Sequence, residues 1–222
     1  KVVEYLKRKK EKINFCIVGE PTNPNKLGEM IKIGRRGSLT GKLKIFGLQG
    51  HVAYPHRAIN PSTIIVKILK ELKEIRFDKG TKDFQPTNLE VTKINMSNKA
   101  DNVIPAMAEA TFNIRFNNKH SSNSIKKKLK KIFSKISKKN KSKYKIEYKV
   151  SGEAFLTKPN KTTFMIQNII KKVTNIKPKL STTGGTSDLR FIRKISPGLE
   201  FGLVGKTMHK VDEAVSLKDL KN

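Results

Sequence analysis

Tryptophan is absent from the 222 residues and cysteine occurs once, so no disulfide framework can form within the chain. That one thiol, Cys16, lies in the apolar run Ile13 to Val18, which predicts that it is buried. No apolar run reaches the roughly 18 residues that a membrane span requires, and the N-terminus carries no signal-peptide pattern, so the expected compartment is the cytoplasm. Acidic residues are scarce, 18 against 48 basic ones, for a formal charge of +30. Arginine is scarce as well, at eight of the 48. Proteins that read nucleic acid rely on the planar arginine fork for phosphate and guanine, whereas here lysines are spread over nearly every segment among many Asn and Ile. The expectation is a compositional bias on exposed positions, with weak sequence-blind attraction to polyanions and no specific nucleic-acid partner. Histidine is rare too, and no HxD or paired-glutamate motif occurs, so no complete metal-binding motif stands in the chain.

What is present is periodic. The hydrophobic fraction is 36% and the mean hydropathy −0.51, but Ile, Leu, Val and Phe recur at regular spacings, as in a globular chain with a sizeable core. An amphipathic helix is predicted over residues 1–12, with basic residues at its C-terminal end, and a strand buried on both faces over Ile13 to Val18. Alternation predicts a half-buried strand over Leu39 to Phe46. A helix follows over 61–75, with Asn60 as N-cap, Pro61 in the first turn and Ile64, Ile65, Ile68, Leu69 and Leu72 on its apolar face. Strands over 88–96 and 107–117, a helix over 122–138 and a strand around Tyr144, Ile146, Tyr148 and Val150 complete a βαββαβ order, the ferredoxin-like split. Beyond Ser151 a helix is expected over 162–174, with Phe164, Met165, Ile169, Ile170 and Val173 apolar, then a Gly-rich turn, a short helix near Leu189 and a buried strand over 199–204. The expected class is α/β, with residues 1–37 and 152–222 forming one domain and 38–151 an inserted one. The lysine runs Lys126 to Lys131 and Lys138 to Lys143 read as solvated surface.

The stretch from Gly34 to His56 concentrates unusual chemistry: paired Arg35 and Arg36, a glycine-bracketed strand, and His51 and His56 on a loop stiffened by Pro55. An arginine pair beside a histidine-bearing loop suits a ligand that carries carboxylates. GRRGS followed by GLQGHVAYPH resembles the succinyl-diaminopimelate desuccinylase family, within the dinuclear zinc aminoacylase and carboxypeptidase superfamily. The resemblance extends through Val18-Gly-Glu-Pro21, Asn102-Val-Ile-Pro105, Phe112-Asn-Ile-Arg115, Phe155-Leu-Thr-Lys-Pro159, Gly184-Gly-Thr-Ser-Asp188 and His209-Lys-Val-Asp-Glu213, in that order along the chain.

This resemblance implies a zinc-dependent amide hydrolase with two zinc ions per intact site, or cobalt in their place. The βαββαβ segment would be its lid and the surface of a homodimer. Glu20, which without the resemblance reads as a turn residue before Pro21, matches a metal ligand, as does His209. The other ligands and the acidic general base of the family have no counterpart, so the chain reads as a C-terminal portion that is not a competent enzyme by itself. Arg35, Arg115 and Arg190 match positions that bind substrate carboxylates. Asn102 and the loop Gly184, Thr186 and Ser187 would add hydrogen bonds, and His51 matches a catalytic residue that reaches the partner subunit's site to stabilise an oxyanion. Asp101, Leu203 and Gly205 depart from the family pattern, and Thr183 replaces a glycine. The rival readings are an acetylornithine deacetylase or related aminoacylase, and a non-catalytic dimerising or nucleic-acid-binding remnant.

Overall fold

The computed structural model describes residues 2–98, 100–185 and 187–221. In chain order the elements are α1 (Val2–Arg8), β1 (Cys16–Val18), β2 (Met30–Lys32), β3 (Gly34–Arg35), β4 (Gly37–Phe46), β5 (Gly50–His51), α2 (Pro61–Glu74), β6 (Asn88–Met96), β7 (Val103–Ile104) and β8 (Met107–Phe116). Then come α3 (Ser122–Lys139), β9 (Lys143–Gly152), β10 (Phe155–Leu156), α4 (Lys161–Thr174), β11 (Lys179–Ser181), α5 (Leu189–Ile192), β12 (Gly198–Glu200) and α6 (Leu217–Lys221). These divide into two compact units, residues 37–154 and residues 1–36 with 155–222. Among the described residues no helix is long and apolar enough to cross a membrane.

The inner unit, 37–154, is a four-stranded antiparallel sheet in the order β6-β8-β4-β9. That is the strand order of a ferredoxin-like split. Alternate residues of β4 and β8 point to one face, where Leu39, Leu43, Ile45, Phe112, Ile114 and Phe116 are all fully buried. The apolar stripes of α2 (Ile64, Ile65, Ile68, Leu72) and α3 (Ile125, Leu129, Phe133, Ile136) close over them. Each such side chain contributes about 1.5–3 kcal/mol on burial, which is why this core dictates the fold. Gly37 and Gly41 sit directly opposite Phe116 and Phe112 in the register; a Cβ at either would run into the ring. Both helices start as their sequences direct. The Asn60 side chain accepts from Ser62 N at 2.9 Å ahead of Pro61, and Ser121 forms a capping box with Ser124.

The outer unit is built on a mixed sheet in the order β1-β12-β2-β11, with β1/β12 and β2/β11 parallel and β12/β2 antiparallel. Its core is small: Ile31, Ile33, Ile170 and Leu199, flanked by Phe15, Ile166, Leu180 and Phe201. Three expectations are corrected here. The predicted double-sided burial of Ile13 to Val18 does not hold, because the strand is three residues long on the sheet edge and Ile17 is 56% exposed. Cys16 is partly rather than fully buried, and desolvation pushes its thiol above the usual range. Along α4 only Ile170 of the expected apolar face is buried, while Phe164, Met165, Ile169 and Val173 stay about half exposed. A sheet of three-residue strands offers a helix one narrow stripe to cover.

Candidate functional site

The outer unit holds a buried polar cluster on β2, β3 and β12. Lys32, Arg35, Arg190 and Glu200 are the buried charged residues among those described in this unit, three cations and one carboxylate. Glu200 is fully buried, with its backbone opposite Lys32 in the register. Arg35 donates from Nε to Glu200 Oε2 at 2.9 Å and from Nη2 to the same oxygen. Its Nη1 donates to the Thr183 carbonyl at 2.8 Å. Ser187 donates its hydroxyl to the other carboxylate oxygen of Glu200. Gly184 takes φ +102°, where a Cβ would collide with the Arg35 guanidinium, so the turn needs glycine there for both conformation and space.

Lys32 Nζ lies against Thr183 Oγ1 at 2.6 Å and Ser181 Oγ at 3.4 Å. Burial foremost, and the neighbouring Arg35 charge after it, bring the Lys32 ammonium down to about 8, against the upward pull of Glu200. Arg190 packs over the Phe155 ring and donates to the Arg36 carbonyl at 3.4 Å. The structure therefore brings Arg35, Gly184, Ser187 and Glu200 into one network, with Arg190 buried in the same unit. Thr186 lies outside the described residues. Lys32 and Glu200 were missed by sequence reasoning. Their signal is a lone charge inside an apolar strand, Met30–Lys32 followed by Ile33, and Leu199 and Phe201 flanking Glu200; such a charge must find a partner if it is buried.

Glu20 and His209 lie in the same unit. Glu20 follows β1, and its backbone packs against Gly202, two residues past β12. Asn23 fixes that run: its backbone N–H donates to the Leu203 carbonyl, its carbonyl accepts from Gly205 N at 2.9 Å, and its buried Oδ1 accepts from Met30 N at 2.8 Å. Leu203 and Gly205, two of the departures, thus act through their backbones. His209 is exposed, at φ +62°, with its N–H on Glu213 Oε2 at 3.3 Å. Among the described residues no group of three or more His, Cys, Asp or Glu side chains could hold a metal ion.

In the inner unit, β5 pairs with β7, His51 opposite Val103, and Val52 N donates to the Asn102 carbonyl at 3.1 Å. His51 and Asn102 are therefore neighbours, both exposed; Asp101 is exposed beside them. The Ala53 N–H donates to His51 Nδ1 at 3.1 Å. A ring whose Nδ1 accepts carries its neutral-form proton on Nε2, so the outward nitrogen is a donor. Arg115 stands apart on β8, on the sheet face opposite the helices, between Ser38 and Asn88 in register. On that face Asn113 donates to Thr40 Oγ1 at 2.9 Å.

Residues 33–141 match the family model described as "Peptidase dimerisation domain". The chain is 78% identical over 221 residues to the succinyl-diaminopimelate desuccinylase of Pelagibacter ubique (strain HTCC1062), covering all of itself and 58% of that protein. It is 49% identical to the protein of that name from Caulobacter vibrioides (strain NA1000 / CB15N), covering 57% of it. The chain thus spans a little over half the length of the curated relatives it matches. Among solved structures, a tripeptidase from Staphylococcus aureus subsp. aureus Mu50 superposes with a TM-score of 0.82 at 17% identity, over 99% of this chain and 56% of that one. The dipeptidase Dug1p of Saccharomyces cerevisiae gives 0.72 at 15% identity, over 98% of this chain and 59% of that one. These likenesses carry the fold alone, an α/β chain in two units.

Proposed function

We propose, from the match of residues 33–141 to a model described as a peptidase dimerisation domain and from the similarity of the whole chain to part of succinyl-diaminopimelate desuccinylases, that it supplies the substrate-binding and dimerising part of an amide hydrolase. The reaction would release succinate and diaminopimelate from N-succinyl-diaminopimelate. The observation that carries this reading is the buried cluster of the outer unit, in which Arg35 is held by Glu200 and the Lys32 ammonium is buried beside it against the Thr183 and Ser181 hydroxyls. Burying a cation is costly, and a substrate carboxylate beside Lys32 would offset that cost. In the outer unit Arg35 and Arg190, with Gly184, Thr186 and Ser187, are the residues proposed to bind the substrate; Arg115 and Asn102, which the family resemblance also proposes for substrate binding, belong to the inner unit.

Metal dependence is part of this reading, from the similarity to those relatives, and zinc is the metal proposed, with Glu20 and His209 as two of its ligands. Structural and catalytic zinc sites take three or four protein ligands, so the residues described here do not by themselves fit a whole centre, and no chemical step is derived through it. His51, with Nε2–H directed outward, is proposed as the donor to an oxyanion in the partner subunit's site. Such a donor strengthens as charge develops, so its loss lowers kcat more than it raises KM.

The test joins this chain to the upstream part of the Pelagibacter relative and measures succinate release. Cleavage of N-succinyl-diaminopimelate in preference to N-acetylornithine is the expected result; a folded, metal-loaded chimera that prefers N-acetylornithine refutes the substrate. Mixing a His51→Ala chimera with one that lacks its upstream general base should restore activity in part, because a mixed dimer contains one complete site. Well-exchanged mixed dimers that stay inactive refute the role of His51 across the dimer.

A further inference from the structure

The buried network contains one group that no substrate could touch. Glu200 is fully buried on β12, and both its carboxylate oxygens are engaged, one by Arg35 through Nε and Nη2, the other by the Ser187 hydroxyl. A carboxylate in front of an arginine could be a competitor for the ligand, displaced when substrate arrives. The fold argues otherwise. Glu200 sits inside the sheet, registered against Lys32 on one side and Val18 on the other, with no exposed surface toward which to swing. Glu200 is therefore the anchor, and Arg35 and Ser187 are the groups it holds.

Those groups form two sides of one cradle. Arg35 is turned by Glu200 so that its Nη1 meets the Thr183 carbonyl at 2.8 Å, which fixes the residue before Gly184. Ser187, at the other end of the same turn, is tied to the same carboxylate. Thr183, through Arg35, and Ser187 directly are thus both tied to a single buried anion, with the left-handed Gly184 next to Thr183. A guanidinium has a flat fork that recognises a carboxylate only when its plane is correctly set, and a turn presents its N–H groups to an anion only when its shape is held.

We propose that Glu200 is a positioning residue, which through Arg35 and Ser187 holds the guanidinium plane together with Thr183, Gly184 and Ser187 in the form that recognises a ligand carboxylate. This rests on the carboxylate-substrate reading above for the identity of the ligand, but not for the hold of Glu200 on its two partners. Loss of the charge at position 200 should release both sides of the cradle together, whereas loss of Ser187 should release the turn alone.

The experiment uses the chain itself, labelled with 15N, with succinate as the probe. The Arg35 Nε–H resonance is assigned by its disappearance in Arg35→Lys, and the Gly184 and Gly185 amides report the turn. In the parent chain the Arg35 Nε–H should exchange slowly, and succinate should shift the glycine amides. In Glu200→Gln the Nε–H signal should move and exchange faster, and succinate affinity should fall about tenfold or more, with Glu200→Asp recovering part of it. Because removing a buried countercharge can unfold the unit, Ser187→Ala serves as the second variant: its Arg35 signal should persist while the glycine amides exchange faster and affinity falls severalfold. An unchanged Arg35 signal in folded Glu200→Gln, or unchanged glycine amides in Ser187→Ala, overturns the proposal. If both respond to substitution but succinate shifts nothing in the parent chain, the positioning by Glu200 stands and the carboxylate ligand is refuted.

Discussion

Lys32→Met should stabilise the outer unit at neutral pH and lose that advantage in alkali. Lys32 is 5% exposed and its nearest polar neighbours are hydroxyls, while Arg35 lies close enough to repel it. Its amine falls from 10.5 in the free state to about 8 in the folded one. Between those values the unfolded chain binds the proton more tightly, so stability rises with pH across that window and is flat, at its penalised level, below about 8. The gap corresponds to on the order of 3 kcal/mol. Methionine removes this penalty and forfeits hydrogen bonds worth about 1 kcal/mol, while Ser181 and Thr183 keep each other at 2.9 Å. The net expectation at pH 7 is a gain of about 2 kcal/mol, shrinking to nearly zero by pH 10. Urea unfolding followed by labelling of Cys16, the chain's single thiol, reads the outer unit specifically, with each variant compared to the parent at the same pH. A parent as stable as the variant at pH 7, or a gap that survives unchanged at pH 10, would refute the reasoning.

Asp78 in the inner unit follows the opposite rule. Burial by itself would raise its carboxyl, but hydrogen bonds from Thr87, the Gly80 N–H and Asn117 outweigh burial and bring it down to about 2, with His120 Nε2 3.0 Å away. The stability it contributes, on the order of 2 kcal/mol, is present above about pH 4 and lost as pH falls through 2; Asp78→Asn should lower unfolding free energy by that amount at pH 7 and by little at pH 2, as read by circular dichroism in urea. Phe133→Ala removes a fully buried ring that packs on Phe112 and Tyr144 and should cost about 3–5 kcal/mol in the same assay; a loss under 1 kcal/mol would mean that the inner core is not the one described. After dialysis the chain should retain no stoichiometric zinc by elemental analysis, since Glu20 and His209 have no third ligand in reach among the described residues; one tightly held equivalent would contradict this.

The inner unit was legible because its signals are local and repeated. Ile64, Ile65, Ile68, Leu69 and Leu72 mark one helix face, Asn60 and Pro61 mark its start, and the observed helix runs from Pro61 to Glu74. The outer unit was less so. Three-residue strands are too short for alternation to register, so the expected strand over 199–204 narrows to Gly198–Glu200, with Val204 contributing only an isolated bridge to Asn23. Arg35 could be singled out from its motif, but not its partner: Glu200 lies 165 residues away, and a glutamate between two apolar residues reads equally well as solvent-facing. His51 was expected on a loop but closes the short strand β5, because it pairs with Val103; which of its nitrogens carries the proton was not legible either, because that depends on where the Ala53 N–H points.

The chain leaves the outer unit after Arg36 and re-enters it at Phe155, and the two crossings are neighbours: Arg35 pairs with Phe155 in a short antiparallel ribbon, and on the far side Ser38 pairs with Gly152. An insertion whose ends are adjacent imposes almost no spacing requirement on its host. A gene encoding the outer unit could therefore accept a different module at this junction, or lose it to a tight hairpin, without a change in the register of β3 and β10. Recombination at the codons for residues 36 and 155 would then exchange one inserted unit for another in a single event, while the buried network of Arg35 and Glu200 was inherited intact.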